Sequence, residues 1–339
     1  MKKETLQIKE VSQLTPEAVQ LSFEIPEASQ KQYGYVAGQY VTLETIISGE
    51  TVRRSYSICS APYEDDLAVG IKAIPKGVFS NHAQKLKAGD SLVVGFPEGR
   101  FVYRETHMHQ LGIAAGSGIT PIMSLLKTHL DQSSQHRFTL IYGNKSPETA
   151  MFYEELGALE QQMEGRLTIH WVFSRASEKQ AAFGRIDAGY LKHVLKGFDS
   201  QPSYLCGPEA MIQTGQQVLE SLGFSKEEIL YELFYSENTE KKTDAEAGTT
   251  QLELICDGET HQLQLSGESI LDAALKHKID VPYSCQGGVC SSCIAKLTEG
   301  KARMENNQIL TDGEVAEGLV LTCQAYAESS KIVVDYDDV

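Results

Sequence analysis

The chain has 339 residues and a formal net charge of −16, and it is 41% hydrophobic and 22% charged. This composition excludes a disordered or fibrous chain, and the length suits two or three domains. The acidic excess argues against nucleic acid as a partner. No run approaches the ~18 apolar residues of a membrane span, and Met1-Lys2-Lys3-Glu4 leads into no signal-peptide core, so a cytoplasmic location is expected.

Residues 1–107 carry short alternating runs such as Thr5–Lys9, Val19–Phe23 and Leu67–Ile71, punctuated by Gly and Pro, the pattern of an antiparallel β-barrel. Residues 108–236 change character. Apolar strands at Leu111–Ala115, Arg137–Tyr142, Leu167–Phe173 and Ser203–Cys206 alternate with helical stretches at Pro121–Leu130 and Pro208–Leu222, which predicts an α/β domain on a parallel sheet. Residues 237–249 hold no aromatic or large aliphatic side chain and are expected to be a linker. Residues 250–339 carry a net charge of −9, more than half of the total imbalance, and read as a separate module.

Four of the seven cysteines fall in that module. An odd total crowded towards one end does not suit a secreted disulfide framework. Cys285, Cys290 and Cys293 stand in a C-x4-C-x2-C arrangement with Cys323 thirty residues later, the spacing of a plant-type [2Fe–2S] site. Gly287, Gly288, Ser291 and Ser292 between them suit a loop folded tightly around a cluster. A zinc site is the competing reading, but zinc usually takes two separated pairs of ligands. Cys59 and Cys256 read as buried thiols.

Further signals lie upstream. Arg54-Ser55-Tyr56-Ser57, then Lys72 and Gly77-Val78-Phe79-Ser80, supply an arginine for a pyrophosphate, an aromatic ring, a hydroxyl and a Gly-Ser loop, the kinds of group a flavin nucleotide needs. Gly116-Ser117-Gly118-Ile119-Thr120-Pro121 follows an apolar strand and opens a helix, with proline expected at the first helical position, where a phosphate is favoured; an ordinary strand–helix turn reads the same way. Cys206-Gly207-Pro208 repeats the strand-to-helix pattern, and Cys206 by itself could be a small buried hydrophobe. Tyr231–Phe234 closes the segment and is compatible with a core strand.

Taken together, Arg54–Ser57, Gly77-x-x-Ser80, Gly116-x-Gly-x-x-Pro121, Cys206-Gly-Pro208 and Glu232-x-Phe234 resemble the ferredoxin–NADP reductase superfamily, here with a plant-type ferredoxin of β-grasp fold at the C-terminus. Within it, Ala114–Pro121, Leu140–Asn144 and Ser269–Leu275 look most like the reductases of phenylacetyl-CoA epoxidase complexes, which would place the chain in phenylacetate catabolism. The resemblance implies that Arg54, Lys72 and Ser80 bind FAD phosphates, Tyr56 packs on the flavin and Ser57 sits near its N5. It implies that Gly116, Ser117, Gly118, Thr120 and Pro121 receive the nicotinamide dinucleotide, that Cys206 lies by the nicotinamide, and that Glu232 and Phe234 border the isoalloxazine. Ser57, Cys206 and Glu232 would then serve hydride transfer. Ser174-Arg175 resembles the pair that holds the 2′-phosphate of NADPH in relatives, so NADPH is expected over NADH.

The expected activity is that of an NAD(P)H-dependent oxidoreductase passing electrons from NADPH to FAD to [2Fe–2S], and on to an oxygenase component, a di-iron epoxidase in the family resembled. A general reductase for another oxygenase or desaturase, and a non-enzymatic redox sensor, are the alternatives. The sequence holds no Glu-x-x-His helix pair for a di-iron centre of its own, so substrate oxidation is expected elsewhere.

Overall fold

The computed structural model describes residues 3–199, 201–234 and 250–339, and the expected linker at 237–249 lies outside the described residues. The described chain forms two compact units divided after Phe234.

The first unit opens with β1 (Lys3–Thr15), β2 (Ala18–Glu24), β3 (Tyr40–Ile47), β4 (Glu50–Ser57), β5 (Leu67–Lys72), the short helix α1 (Val78–Ala83) and β6 (Ser91–Gly95). These strands make one antiparallel sheet in the order β4-β3-β6-β1-β2-β5. The sheet curls until an isolated bridge between Ile58 and Val69 joins the two edges. Alternation selects the core: Leu6 and Ile8 on β1, and Val19, Leu21 and Phe23 on β2, stand two residues apart and are all buried.

The same unit continues with β7 (His109–Ala115), α2 (Ile119–Gln132), β8 (Arg137–Asn144), α3 (Tyr153–Gln162), β9 (Leu167–Phe173), β10 (Ala181–Phe183), α4 (Ala188–Val194), β11 (Ser203–Gly207), α5 (Glu209–Ser221) and β12 (Ile229–Leu233). All six strands are parallel, in the order β10-β9-β8-β7-β11-β12. The order reverses between β7 and β11. A doubly wound sheet binds ligands outside the carboxyl ends of its strands at such a reversal.

Two helix starts differ from expectation. Gly116–Gly118 forms a 3-10 turn and α2 begins at Ile119, so Pro121 is its third residue and not its first. Pro121 still lies in the first turn, where its missing N–H costs no intrahelical bond. Pro208 is the N-cap of α5, one position before the helix proper.

The second unit holds β13 (Thr250–Cys256), β14 (Glu259–Leu265), α6 (Ile270–Lys276), β15 (Ile294–Glu299), β16 (Ala302–Met304), α7 (Asp312–Ala316), β17 (Leu319–Leu321), β18 (Ala325–Ala327) and β19 (Lys331–Asp335). Its main sheet runs β14-β13-β19-β15-β17, with β13 and β19 parallel and the other neighbours antiparallel, and β16 pairs with β18. Helix α6, capped by the Ser269 side chain accepting from the Asp272 N–H at 3.1 Å, buries Ile270, Leu271, Ala273 and Ala274 in a core of this unit's own.

Candidate functional site

The crevice at the β7–β11 reversal is built from backbone. Gly118 lies so close to β11 that a Cβ there would stand 2.1 Å from the Cys206 carbonyl oxygen and 2.8 Å from the Gly207 nitrogen. Only glycine lets the two loops meet. Gly116 differs: its φ is +57° and nothing lies within 4 Å of its Cβ position, so it keeps open space at the mouth of the crevice. The Thr120 hydroxyl donates to the Ser117 carbonyl at 3.1 Å and fixes the turn.

Gly207 and Pro208 carry the chain from β11 into α5. Cys206, fully buried on β11, pairs with Glu232 on β12 and with Ala114 on β7. Burial pushes the Cys206 thiol well up, with the Glu232 carboxylate adding to the rise once it ionises, so the thiol stays neutral. Glu232 is 8% exposed, and the Ser57 hydroxyl donates to its Oε2 at 3.1 Å. Burial raises the Glu232 carboxyl to about 8, with the Ser57 hydrogen bond working against the rise. Ser57 ends β4 of the barrel, so this bond joins the barrel to the parallel sheet. A second junction is Gly70 on β5, where a Cβ would meet Thr120 and Met151 within 3 Å. Phe234, just past β12, is 38% exposed.

In the barrel, the two adjacent arginines have different surroundings. Arg53 is buried and its Nε donates to Glu44 Oε2 at 2.7 Å, an acceptor shared with Lys3. Arg54 is exposed, which leaves it accessible to a phosphate. Ser55 Oγ lies 3.2 Å from Thr42 Oγ1, and the Tyr56 ring packs on Phe79 with centroids 5.5 Å apart. Val78 and Phe79 open α1, and the Ser80 hydroxyl accepts from the Ile74 N–H at 3.3 Å, holding the Gly77–Ser80 turn. Lys72 reaches the parallel-sheet domain: its Nζ is 3.5 Å from the Thr149 carbonyl, and burial with the nearby Lys145 charge lowers its pKa. Ser174 and Arg175 follow β9 and lie beside the end of β8, where the Ser174 N–H donates to Asn144 at 3.0 Å and the Arg175 N–H to Lys145 at 2.8 Å.

In the second unit the four motif cysteines converge. None is in a disulfide, and Cys290, Cys293 and Cys323 are buried. The Cys285 thiol lies within interaction range of Cys290 and Cys323, and that of Cys293 within range of Cys323. Contacts from Cys290 and Cys323 hold Cys285 well below the usual thiol range. The loop that brings them together depends on Gly288, at φ +74°, where a Cβ would stand 2.5 Å from the Asn306 carbonyl oxygen. Asn306 Nδ2 donates to the Gly287 carbonyl at 2.7 Å and Gln324 Nε2 to that of Gln286 at 3.0 Å. Behind Cys323, the Tyr336 hydroxyl donates to Thr322 Oγ1, and Thr322 donates to the Cys293 carbonyl. Neither spacing nor composition marks Asn306 or Tyr336, which come from distant positions, while Thr322 and Gln324 are set apart only as the neighbours of Cys323.

Family comparison matches this arrangement piece by piece. Residues 5–103 match the Oxidoreductase FAD-binding domain, 113–217 the Oxidoreductase NAD-binding domain, and 254–328 the 2Fe-2S iron-sulfur cluster binding domain. The chain is 35% identical to a component of the 1,2-phenylacetyl-CoA epoxidase of Escherichia coli, over 98% of this chain and 97% of that one. The chain belongs to the ferredoxin reductase superfamily. The reductase is also 33% identical to the ferredoxin reductase component of 3-ketosteroid-9-alpha-monooxygenase of Mycobacterium tuberculosis, covering 98% of this chain and 96% of that one. Its fold is that of phthalate dioxygenase reductase, with a TM-score of 0.63 at 22% identity and 98% of both chains covered.

The reductase is therefore an oxidoreductase of FAD-binding, NAD-binding and [2Fe–2S] domains. Its residues fit these groups. Four convergent thiols would offer two ligands to each of two irons, and the space beside Gly116 would leave room for a dinucleotide phosphate. Among the described residues, no helix is long and apolar enough to cross a membrane.

Proposed function

We propose that this reductase draws electrons from NADPH at the Ser57–Glu232–Cys206 site and delivers them singly, from the cysteine loop, to the di-iron epoxidase component of a phenylacetyl-CoA-oxidising system. The observation that supports the first half is the 3.1 Å Ser57–Glu232 contact between barrel and parallel sheet, with Glu232 the strand partner of Cys206. The choice of acceptor rests on the 35% identity to the Escherichia coli epoxidase component over nearly the whole chain. When bound, FAD accepts a hydride and releases its electrons one at a time to an iron–sulfur cluster.

The chain's own residues do the positioning. Arg54 and Ser80 would hold flavin phosphates, Tyr56 would lie against the ring system, and Lys72 would close the barrel side of the pyrophosphate. Gly116 to Pro121 and Gly207-Pro208 would frame the dinucleotide. Glu232, neutral at pH 7, would hold a proton next to Ser57 without adding charge to a dry site. Cys285, Cys290, Cys293 and Cys323 would hold the cluster.

The test mixes purified reductase with epoxidase components, NADPH, oxygen and phenylacetyl-CoA, and follows product against ionic strength. The acidic C-terminal module, net −9, is the docking face in this reading. Coupling should weaken as the Debye length shrinks from ~30 Å at 0.01 M to ~8 Å at 0.15 M salt. Salt-insensitive coupling would refute electrostatic docking. Turnover with another oxygenase and none with a competent phenylacetyl-CoA epoxidase would reassign the partner.

A further inference from the structure

At the opposite, amino-terminal edge of the parallel sheet there is an open cavity of about 290 Å³, with Arg137, Gly165 and Thr168 of its lining exposed to solvent. With β8 running from Arg137 to Asn144 at ~3.3 Å per residue, it lies on the order of 20 Å along the sheet from the dinucleotide crevice. A parallel sheet covered on both faces normally presents near-continuous apolar residues. Here β8 and β9 break that rule on one face. Leu167 and Ile169 enter the apolar core, while Thr168 and His170, on the alternate positions, line the cavity with Thr139, the β8 partner of Thr168.

The basic groups converge on it. His109 and Arg137 are paired at the start of β7 and β8, and Arg166 enters from the turn before β9. Phe198 closes one side, its ring centroid 5.3 Å from that of His109. Among the described residues no carboxylate lines the cavity, although the chain carries 46 acidic residues against 30 basic. Burial, and then repulsion from Arg137, lowers the His109 pKa, and burial lowers that of His170, so both rings favour the neutral form and the positive charge here belongs to Arg137 and Arg166. His109 Nε2 meets Thr139 Oγ1 at 2.9 Å. Arg166 donates through Nη1 to the Leu130 and Ser133 carbonyls, which fixes its guanidinium at the rim.

We propose that this cavity is a binding site for a compact oxyanion, a phosphate group or a small carboxylate, separate from the dinucleotide site. Arg137 and His170 are its principal contacts, Thr139 and Thr168 supply hydroxyl donors, and Phe198 covers an apolar portion of the ligand. The volume matches a single anionic group on a small body.

The test is calorimetric titration of inorganic phosphate, and separately of citrate, into the full-length holoprotein at constant ionic strength with chloride as balancing anion. Each titration is run with and without saturating NADP⁺. Wild type should show one saturable site that persists with NADP⁺ bound. Arg137→Gln and His170→Gln should each weaken it at least tenfold while retaining flavin and melting temperature, and Arg175→Ala should leave it unchanged. Tighter binding of citrate than phosphate identifies a carboxylate ligand; the reverse identifies a phosphate. Absence of saturable binding by either anion, displacement by NADP⁺, or loss in Arg175→Ala with retention in Arg137→Gln would overturn the proposal.

Discussion

The Ser57 hydroxyl and the Glu232 carboxylate oxygen stand 3.1 Å apart although 175 positions separate them in the chain. One ends a barrel strand and the other sits in the last strand of the parallel sheet, so the bond exists only when both domains are folded and docked. Its energetics give a pH signature. The Glu232 carboxyl is raised to about 8 in the folded protein, against the usual value near 4.5, so the folded state holds a proton that the unfolded state releases. This stability is fully present below pH 4.5 and is lost as pH rises to about 8, by up to about 1.4 kcal/mol per pH unit. Glu232→Gln should flatten that slope, its melting temperature approaching or exceeding wild type at pH 8–9. Parallel melting curves from pH 5 to 9 for the two proteins would contradict the burial argument.

The glycines of the crevice should behave differently from one another. Gly118→Ala puts a methyl against the Cys206 carbonyl, backbone that cannot step aside. It should cut kcat/KM for NAD(P)H on the order of 10–100-fold, the cost of a displacement approaching 1 Å. Gly116→Ala meets no atom and incurs only left-handed backbone strain of roughly 1 kcal/mol. Steady-state ferricyanide reduction with the two variants distinguishes crowding from strain, and equal losses would remove the distinction.

Replacing a soft thiolate by a hydroxyl should abolish the cluster without disturbing the other unit. Cys290→Ser is expected to lose iron and its visible absorbance while keeping stoichiometric flavin. Retention of about two irons per chain would remove Cys290 from the ligand set.

The two compact units should also separate in function. A chain ending near Glu240 is expected to keep FAD and to reduce ferricyanide with NAD(P)H, because Ser57, Cys206 and Glu232 all lie upstream. Its cytochrome c reduction should fall to a small fraction of the full-length rate. Undiminished cytochrome c reduction would mean that electrons bypass the cysteine loop.

Arg175 stands beside Lys145 at the ends of β8 and β9. If it pairs the 2′-phosphate of NADPH, Arg175→Ala should narrow the NADPH-to-NADH preference by roughly tenfold or more, the value of a hydrogen bond to a charged group. Comparison of kcat/KM for both cofactors measures it, and an unchanged ratio would leave Arg175 as a surface residue.

Local chemistry is what the sequence by itself determined. The cysteine spacing, set by ligand number, and the alternation of Val19, Leu21 and Phe23 and the strand at Leu167–Phe173, set by side-chain period, are short-range patterns, and the structure reproduces the two strand patterns. Short elements such as β10 carry too few residues to show a period, and the placement of Pro121 depended on where the first helical hydrogen bond closed. Only the tertiary structure decided which of two adjacent arginines is buried on Glu44 and which stays exposed, since both fit the same local pattern. Strand order likewise is invisible in one dimension. The reversal between β7 and β11, which brings Gly118 against Cys206 and Glu232 to Ser57, arises from packing a twisted sheet, and no residue in any single strand encodes it.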